Sequence, residues 1–241
     1  MLGTMSLFAA GARALTDPAS LALTAFYRDY TNPAWGGTAS AGTSGSGSND
    51  LTDPGNEPAQ GTALNSHGTA DFNGTDDFLL AEGTLDTYSA ATALSGWILC
   101  NPDTVASTRY LVSSYNGGLH LEVWTDASGN ASIRLNALSD VAIRTIAASA
   151  YSLITFRYDG ANIQIGVNEA PGASDGNSVK AYSSNITLTG TVRVGANYNG
   201  LATLDYFDGH VAEIGLTDTL IIDNTFADIK AYINARYALA L

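Results

Sequence analysis

Residues 118–135, GLHLEVWTDASGNASIRL, alternate apolar and polar positions on both sides of a turn. Leu119, Leu121 and Val123 fall on one side of an extended chain, and His120, Glu122 and Trp124 on the other. Asp126-Ala127-Ser128-Gly129-Asn130 supplies the turn, after which Ile133 and Leu135 return to the apolar side, opposite Arg134 and Asn136. The stretch predicts a β-hairpin with one face for a core and one for water. The same period recurs outward along the chain. YSLITFRYDG (151–160) sets Ile154, Phe156 and Tyr158 against Arg157, and ANIQIGVN (161–168) sets Ile163, Ile165 and Val167 against Asn162, Gln164 and Asn168. TVRVGA (191–196) sets Val192 and Val194 against Arg193. Turn clusters at Asn116-Gly117-Gly118, Asp159-Gly160 and Asn199-Gly200 punctuate the strands. Strands of this kind pack as antiparallel sheets, face to face.

Composition agrees. The chain has 241 residues with 25 Gly, and charged residues make up 14%, against roughly 25% in an average soluble domain. Gly, Ser, Thr, Asn and Ala replace the missing charge, which suits short strands and tight turns better than helices. Lys and Arg total 10 against 23 Asp and Glu, a net charge of −13. Such a surface repels phosphate backbones and predicts no nucleic-acid partner. No apolar run approaches the roughly 20 residues of a membrane span, and there is no polybasic patch for anionic lipid. The lone Cys100 excludes an internal disulfide framework and a multi-cysteine zinc site.

The chain divides into an N-terminal arm over residues 1–20 and one domain over 21–241. The opening MLGTMSLFAAGARA carries its only charge, Arg13, at the wrong end for a secretory signal. It therefore reads as an uncleaved arm docked on this domain or on a neighbouring subunit. LALTAFYRDY (21–30) is the first strand candidate, and the polar residues 36–62 form a long irregular surface loop. Near the C-terminus Phe226, Ile229, Ile233 and Tyr237 recur at helical spacing, with Asn224 or Thr225 as cap, Asp228 in the first turn and Arg236 in the last.

Six segments, in order, resemble the laminin-G-like (concanavalin A-like) jelly-roll family. Phe72-Asn73-Gly74-Thr75-Asp76-Asp77-Phe78 is similar to its opening strand, and Ser95-Gly96-Trp97-Ile98 to its core strand. Thr155-Phe156-Arg157-Tyr158-Asp159-Gly160 and Ile165-Gly166-Val167-Asn168 resemble the next two, and Val192-Arg193-Val194-Gly195 the one after. Phe207-Asp208-Gly209-His210-Val211-Ala212-Glu213-Ile214 resembles the closing strand. Glu169 departs from the pattern, replacing the family's Gly, so that hairpin is expected to be longer and to bend at Pro171-Gly172. The resemblance implies an all-β, two-sheet antiparallel sandwich with a short C-terminal helix, and Trp97 in its core. Members of this type bind glycans or proteins, and stand-alone members resemble bacteriophage virion proteins.

The family's glycan-cutting enzymes carry an E-x-D-x-E-like strand. The nearest match here, Glu122-Val123-Trp124-Thr125-Asp126, has the wrong spacing and no third acid, so no catalytic residue is expected. Asn73-Gly74-Thr75-Asp76-Asp77 offers oxygens for calcium, or else is simply a turn that its acids cap. Glycan binding calls for exposed aromatic rings flanked by amides, and Tyr115-Asn116, Trp124, Tyr198-Asn199 and Tyr206 fit that description. The expected function is a virion structural protein, a lectin-like decoration, fibre or attachment module. Its arm would dock on other virion proteins within a larger assembly or homo-oligomer, and its loops would meet host glycans. The alternatives are a secreted or surface carbohydrate-binding module and, disfavoured, a glycan-active enzyme.

Overall fold

A computed structural model describes residues 17–18, 21, 23, 25–30, 51–52, 55–81, 88–115, 119–136, 142–173, 176–188, 191–198 and 201–241. Most of the expected arm, together with Asn116 and Asn199, lies outside them. In chain order the first strands are β1 (Ala25–Arg28), β2 (Leu51–Thr52), β3 (Ala59–Gln60), β4 (Ala70–Asn73), β5 (Leu79–Ala81) and β6 (Tyr88–Ala91). There follow β7 (Leu94–Pro102), β8 (Arg109–Tyr115), β9 (Leu119–Thr125), β10 (Asn130–Leu135), β11 (Ala142–Thr145), β12 (Ser152–Tyr158) and β13 (Asn162–Val167). The last are β14 (Val179–Ala181), β15 (Ile186–Leu188), β16 (Thr191–Val194), β17 (Asn197–Tyr198), β18 (Thr203–Leu204) and β19 (Asp208–Thr217), followed by helix α1 (Asp223–Tyr237).

These strands form two principal antiparallel sheets. The first runs β14-β13-β12-β7-β19-β4-β3, with β1 pairing the second half of β19. The second runs β11-β10-β9-β8-β16-β5-β2. The hairpin that opened the reading is β9–β10, in register at Val123↔Ile133 and Glu122↔Arg134. Its turn is closed as the residues dictate: Asp126 Oδ1 accepts the amides of Ser128 and Asn130 at 2.8 and 3.0 Å, and Gly129 takes φ 76°. Each of the six family-like segments contributes to the strands. The opening one is divided, because the Asn73–Asp77 turn carries the chain from β4 in the first sheet to β5 in the second.

The period-2 alternation builds two cores rather than one. Ile98, Cys100, Ile154, Phe156, Val211 and Ile214 face the second sheet and meet Leu121, Val123, Ile133 and Leu135 between the layers. The opposite face of the first sheet is not wet as expected, because α1 covers it. Trp97, Leu99 and Leu153 pack there against Phe226, Ile229, Ile233 and Tyr237. Trp97 is therefore buried as the resemblance implied, under the helix rather than between the sheets. Cys100 is fully buried in the inter-sheet core, where burial pushes its thiol up and keeps it unreactive.

Three local expectations need correction. The helix begins at Asp223, with Ile222 at the cap position and no side-chain cap bond, so neither Asn224 nor Thr225 caps it. Its first-turn acid is Asp223, bound by Arg157 Nη1 at 2.5 Å, rather than Asp228. The stretch 36–62 is not wholly irregular: β2 and β3 pair as edge strands of the two sheets, with Leu51 fully buried. The longer turn expected at Glu169 is present, with Asn168 at φ 60° and Gly172 at φ 76°. Among the described residues no helix is long and apolar enough to cross a membrane.

The helix sits close enough to the sheet to make one glycine a steric requirement. Gly215 pairs with Trp97, and a Cβ there would lie 2.2 Å from the indole Cζ2. Gly215→Ala is expected to cost about 1–3 kcal/mol by overpacking, read as a lowered urea midpoint. An unchanged midpoint would mean that the indole moves freely under α1.

Candidate functional site

The outward face of the second sheet carries a polar row across four neighbouring strands, in register as Arg193, Ser113, Glu122 and Arg134. The next row along β8, β9 and β10 places Tyr110 beside Trp124 and Trp124 beside Ser132. Alternation makes this face polar in sequence, yet much of it is covered. After β16 the chain stays against β8: Ser113 Oγ donates to the Ala196 carbonyl at 2.8 Å on the outward face, while the Tyr110 amide donates to the Asp205 carbonyl at 3.0 Å in the plane of the sheet, where Tyr206 bridges to Tyr110. The small β17–β18 hairpin comes off this segment.

Within this row Glu122 is 1% exposed. Arg134 Nε donates to its Oε2, the Tyr110 hydroxyl donates to the same carboxylate, and its Oε1 is buried without a hydrogen-bond partner. Burial and the Glu122 charge push the Tyr110 phenol well above its usual range. Trp124 is 9% exposed, stacked on Tyr110 at 5.6 Å with Arg134 5.4 Å from its ring. The expectation that Trp124 faces solvent is thus corrected. A polar-side position does not guarantee exposure when long side chains of the neighbouring strands, here Tyr110 and Arg134, pack against it.

At the other end of the row the tyrosines are partly exposed. Tyr115, from the end of β8, meets Tyr198 of β17 edge-on at 5.2 Å, and the Arg193 guanidinium lies 4.0 Å from the Tyr198 ring centre. The fold therefore brings two of the expected platform residues, 83 positions apart in sequence, into one site. Tyr206 belongs to the same segment but turns toward Phe78 at 6.2 Å, and its hydroxyl donates to the Thr203 carbonyl at 3.3 Å. Arg193 and Arg134 carry no mark of a site in the sequence, and Glu122 enters it only as a mismatched catalytic acid, because a single strand shows only alternation and their juxtaposition is a matter of register. The Leu201 side chain projects from the segment at 93% exposure.

A second concavity, about 410 Å³, lies at the β3–β4 edge and is lined by Glu57, Asp71, Asp77, Asp103 and Asp208. Of these acids, Asp77 shapes the Asn73–Asp77 turn, and Asp71 lies 3.6 Å from His210 Nδ1. Asn73 Oδ1 accepts the amides of Thr75 and Asp76 at 2.8 and 3.1 Å, and Asp77 accepts the Asn73 amide at 2.9 Å. Among the described residues, no group of three or more His, Cys, Asp or Glu is placed to hold a metal ion. The arrangement follows the capped-turn reading of this segment. Burial, with the charges of Asp76, Asp71 and Glu57, raises the Asp77 carboxyl.

The acids nearest to a catalytic pattern are likewise occupied: Glu122 by Arg134, and Asp126 by the amides of its own turn.

Two packed antiparallel sheets with this strand order define the class: a jelly-roll β-sandwich of the concanavalin A-like kind. No family model matches the chain, and no curated protein sequence does. Solved structures do. Trypanosoma rangeli sialidase in complex with sialic acid aligns with a TM-score of 0.62 and 12% identity, covering 87% of this chain and 32% of the sialidase. The receptor-binding domain of botulinum neurotoxin D aligns at 0.63 with 10% identity, covering 88% of this chain and 52% of that one. Domain 4 of the Geobacillus stearothermophilus extracellular arabinanase AbnA, in complex with arabinotriose, aligns at 0.62 with 12% identity over 86% of this chain and 98% of the domain. The chain thus spans about a third of the sialidase and half of the toxin domain, but nearly all of the arabinanase domain. At these identities the likeness establishes the fold.

Proposed function

We propose that the chain is a non-catalytic carbohydrate-binding β-sandwich module whose sugar rests on Tyr115 and Tyr198, at the open end of the Arg193–Arg134 row. The observation that carries this reading is the convergence of two partly exposed rings, from β8 and β17, on a site that also holds a guanidinium. Aromatic faces accept the apolar face of a sugar ring, while polar groups beside them fix its hydroxyls. Similar folds appear in a sialidase bound to sialic acid and an arabinanase domain bound to arabinotriose, which lends the reading support without deciding the ligand. The engagement of Glu122 and Asp126 in structural bonds favours binding over catalysis.

A glycan array followed by titration calorimetry tests the proposal. Tyr198→Ala is expected to weaken the best glycan by about tenfold, with the thermal midpoint little changed because the ring is only partly buried. An array without a single retained glycan, or a variant that binds like the parent, would overturn it.

The virion-attachment reading draws on residues 1–20, of which only Asp17 and Pro18 are described. Asp17 pairs with Arg28 of this domain at 3.0 Å, which is local docking and gives a neighbouring protein no support.

A further inference from the structure

We infer that the Tyr115–Tyr198 site selects sugars bearing a carboxylate, and that Arg193 is the residue that reads it. The inference rests on the carbohydrate-binding reading and names the ligand class of that same site.

The argument begins with how the arginines are satisfied. Among the described residues, Arg28 pairs with Asp17, Arg134 with Glu122, Arg144 with Glu169, Arg157 with Asp223 and Arg236 with Asp29. Arg109 donates to the Gly74 and Tyr206 carbonyls at 2.6 and 2.8 Å. Arg193 alone among them has neither a carboxylate nor a hydrogen-bonded oxygen, and its buried Nε has no partner. In a chain with 23 acids that is a conspicuous omission.

The Tyr198 ring offers the cation its π face, but a ring accepts no N–H in the plane of the guanidinium. Burial lowers the Arg193 pKa, the reverse of the rise at the paired Arg28, Arg134 and Arg236. A cation drawn out of water without an oxygen partner is costly, and a ligand that supplies the oxygens recovers the cost. A guanidinium fork matches a carboxylate in two parallel bonds. The nearest acid in the row, Glu122, lies beyond Ser113 and is already neutralised by Arg134, so it does not compete for Arg193. With Arg134 and Arg193 against Glu122, the row carries a net positive charge on a molecule of net charge −13. The adjoining tyrosines present flat apolar surface to the remainder of the ring.

Two pairs of probes separate uronic from sialic acid: trigalacturonate against its methyl ester, and 3′-sialyllactose against lactose. In at least one pair the acidic member is expected to bind about tenfold or more tightly than its neutral counterpart, and which pair does so identifies the sugar. Arg193→Gln is expected to erase that preference while leaving the neutral member's affinity in place, and Arg193→Lys to restore part of it. Arg193→Met is expected to leave the thermal midpoint unchanged or raised, since the cation has no oxygen partner to lose and the methionine thioether keeps a contact with the Tyr198 ring. Equal binding of acidic and neutral members, a preference that survives in Arg193→Gln, or a midpoint lowered by Arg193→Met would overturn the inference while leaving the glycan-binding module standing. Absence of binding to all four probes and to every glycan on the array would instead overturn the module reading.

Discussion

Arg134→Met is expected to cost about 3–5 kcal/mol of folding stability at neutral pH, the range for removing one partner of a buried ion pair. Glu122 lies on β9 between β8 and β10, and is 1% exposed. Among the described residues only Arg134 balances its charge, since Tyr110 contributes a neutral hydroxyl. Methionine preserves much of the stem that covers Trp124, so the loss would report charge rather than packing. The double variant Glu122→Gln with Arg134→Met is expected to recover most of the loss, because the pair itself contributes little once its desolvation is counted. Urea unfolding of the parent, both single variants and the double variant closes the cycle. If Arg134→Met unfolded at the parental midpoint, Glu122 would have to be hydrated in the folded protein.

The second large effect is a dependence of stability on pH centred under the helix. Glu213 is fully buried among Trp97, Gly215 and Tyr237; Trp97 Nε1 donates to its Oε1 and the Tyr237 hydroxyl to its Oε2, both at 3.0 Å. Burial outweighs these bonds and the distant charges of Arg236 and Arg28, pushing its carboxyl from 4.5 up to about 7. Between these values the folded protein holds a proton that the unfolded chain has released. The stabilisation is therefore complete below pH 4.5 and is lost as pH rises through about 7, a change of roughly 3 kcal/mol. Asp29, lowered by His67 and Arg236, contributes in the opposite sense, but at more acidic pH. Glu213→Gln keeps a neutral acceptor for the indole and cannot ionise. Relative to this variant, the parent is expected to lose those roughly 3 kcal/mol between pH 4.5 and 8. A constant difference across that range would show that the carboxylate is accommodated under α1 without penalty.

Local reading carried far in this chain because strands advertise themselves. The alternation in residues 118–135 defines β9 and β10, and the Asp126–Asn130 turn requires nothing beyond its own residues. The stripe of Phe226, Ile229, Ile233 and Tyr237 likewise places the helix correctly, although its cap lies two residues ahead of Asn224. Burial of the polar side was harder to foresee. Glu122 and Trp124 occupy outward positions, and nothing within β9 indicates that Arg134 and Tyr110, from the strands on either side, pack against them. Trp97 shows the same limit in reverse: its burial was legible, but the helix that buries it comes more than 120 residues later.

The class of fold, the strand and turn positions and the apolar face of each strand follow from residues close in the chain, because side-chain direction along an extended chain depends only on neighbours two residues apart. Contacts between remote residues settle which polar faces are covered, that Tyr115 and Tyr198 share a site, and that, among the described residues, Arg193 finds neither the carboxylate nor the carbonyl oxygens that the other arginines do. Those are outcomes of register and chain return, where residues remote in sequence are brought within a few ångströms and the solvation of each charge depends on what lies above it.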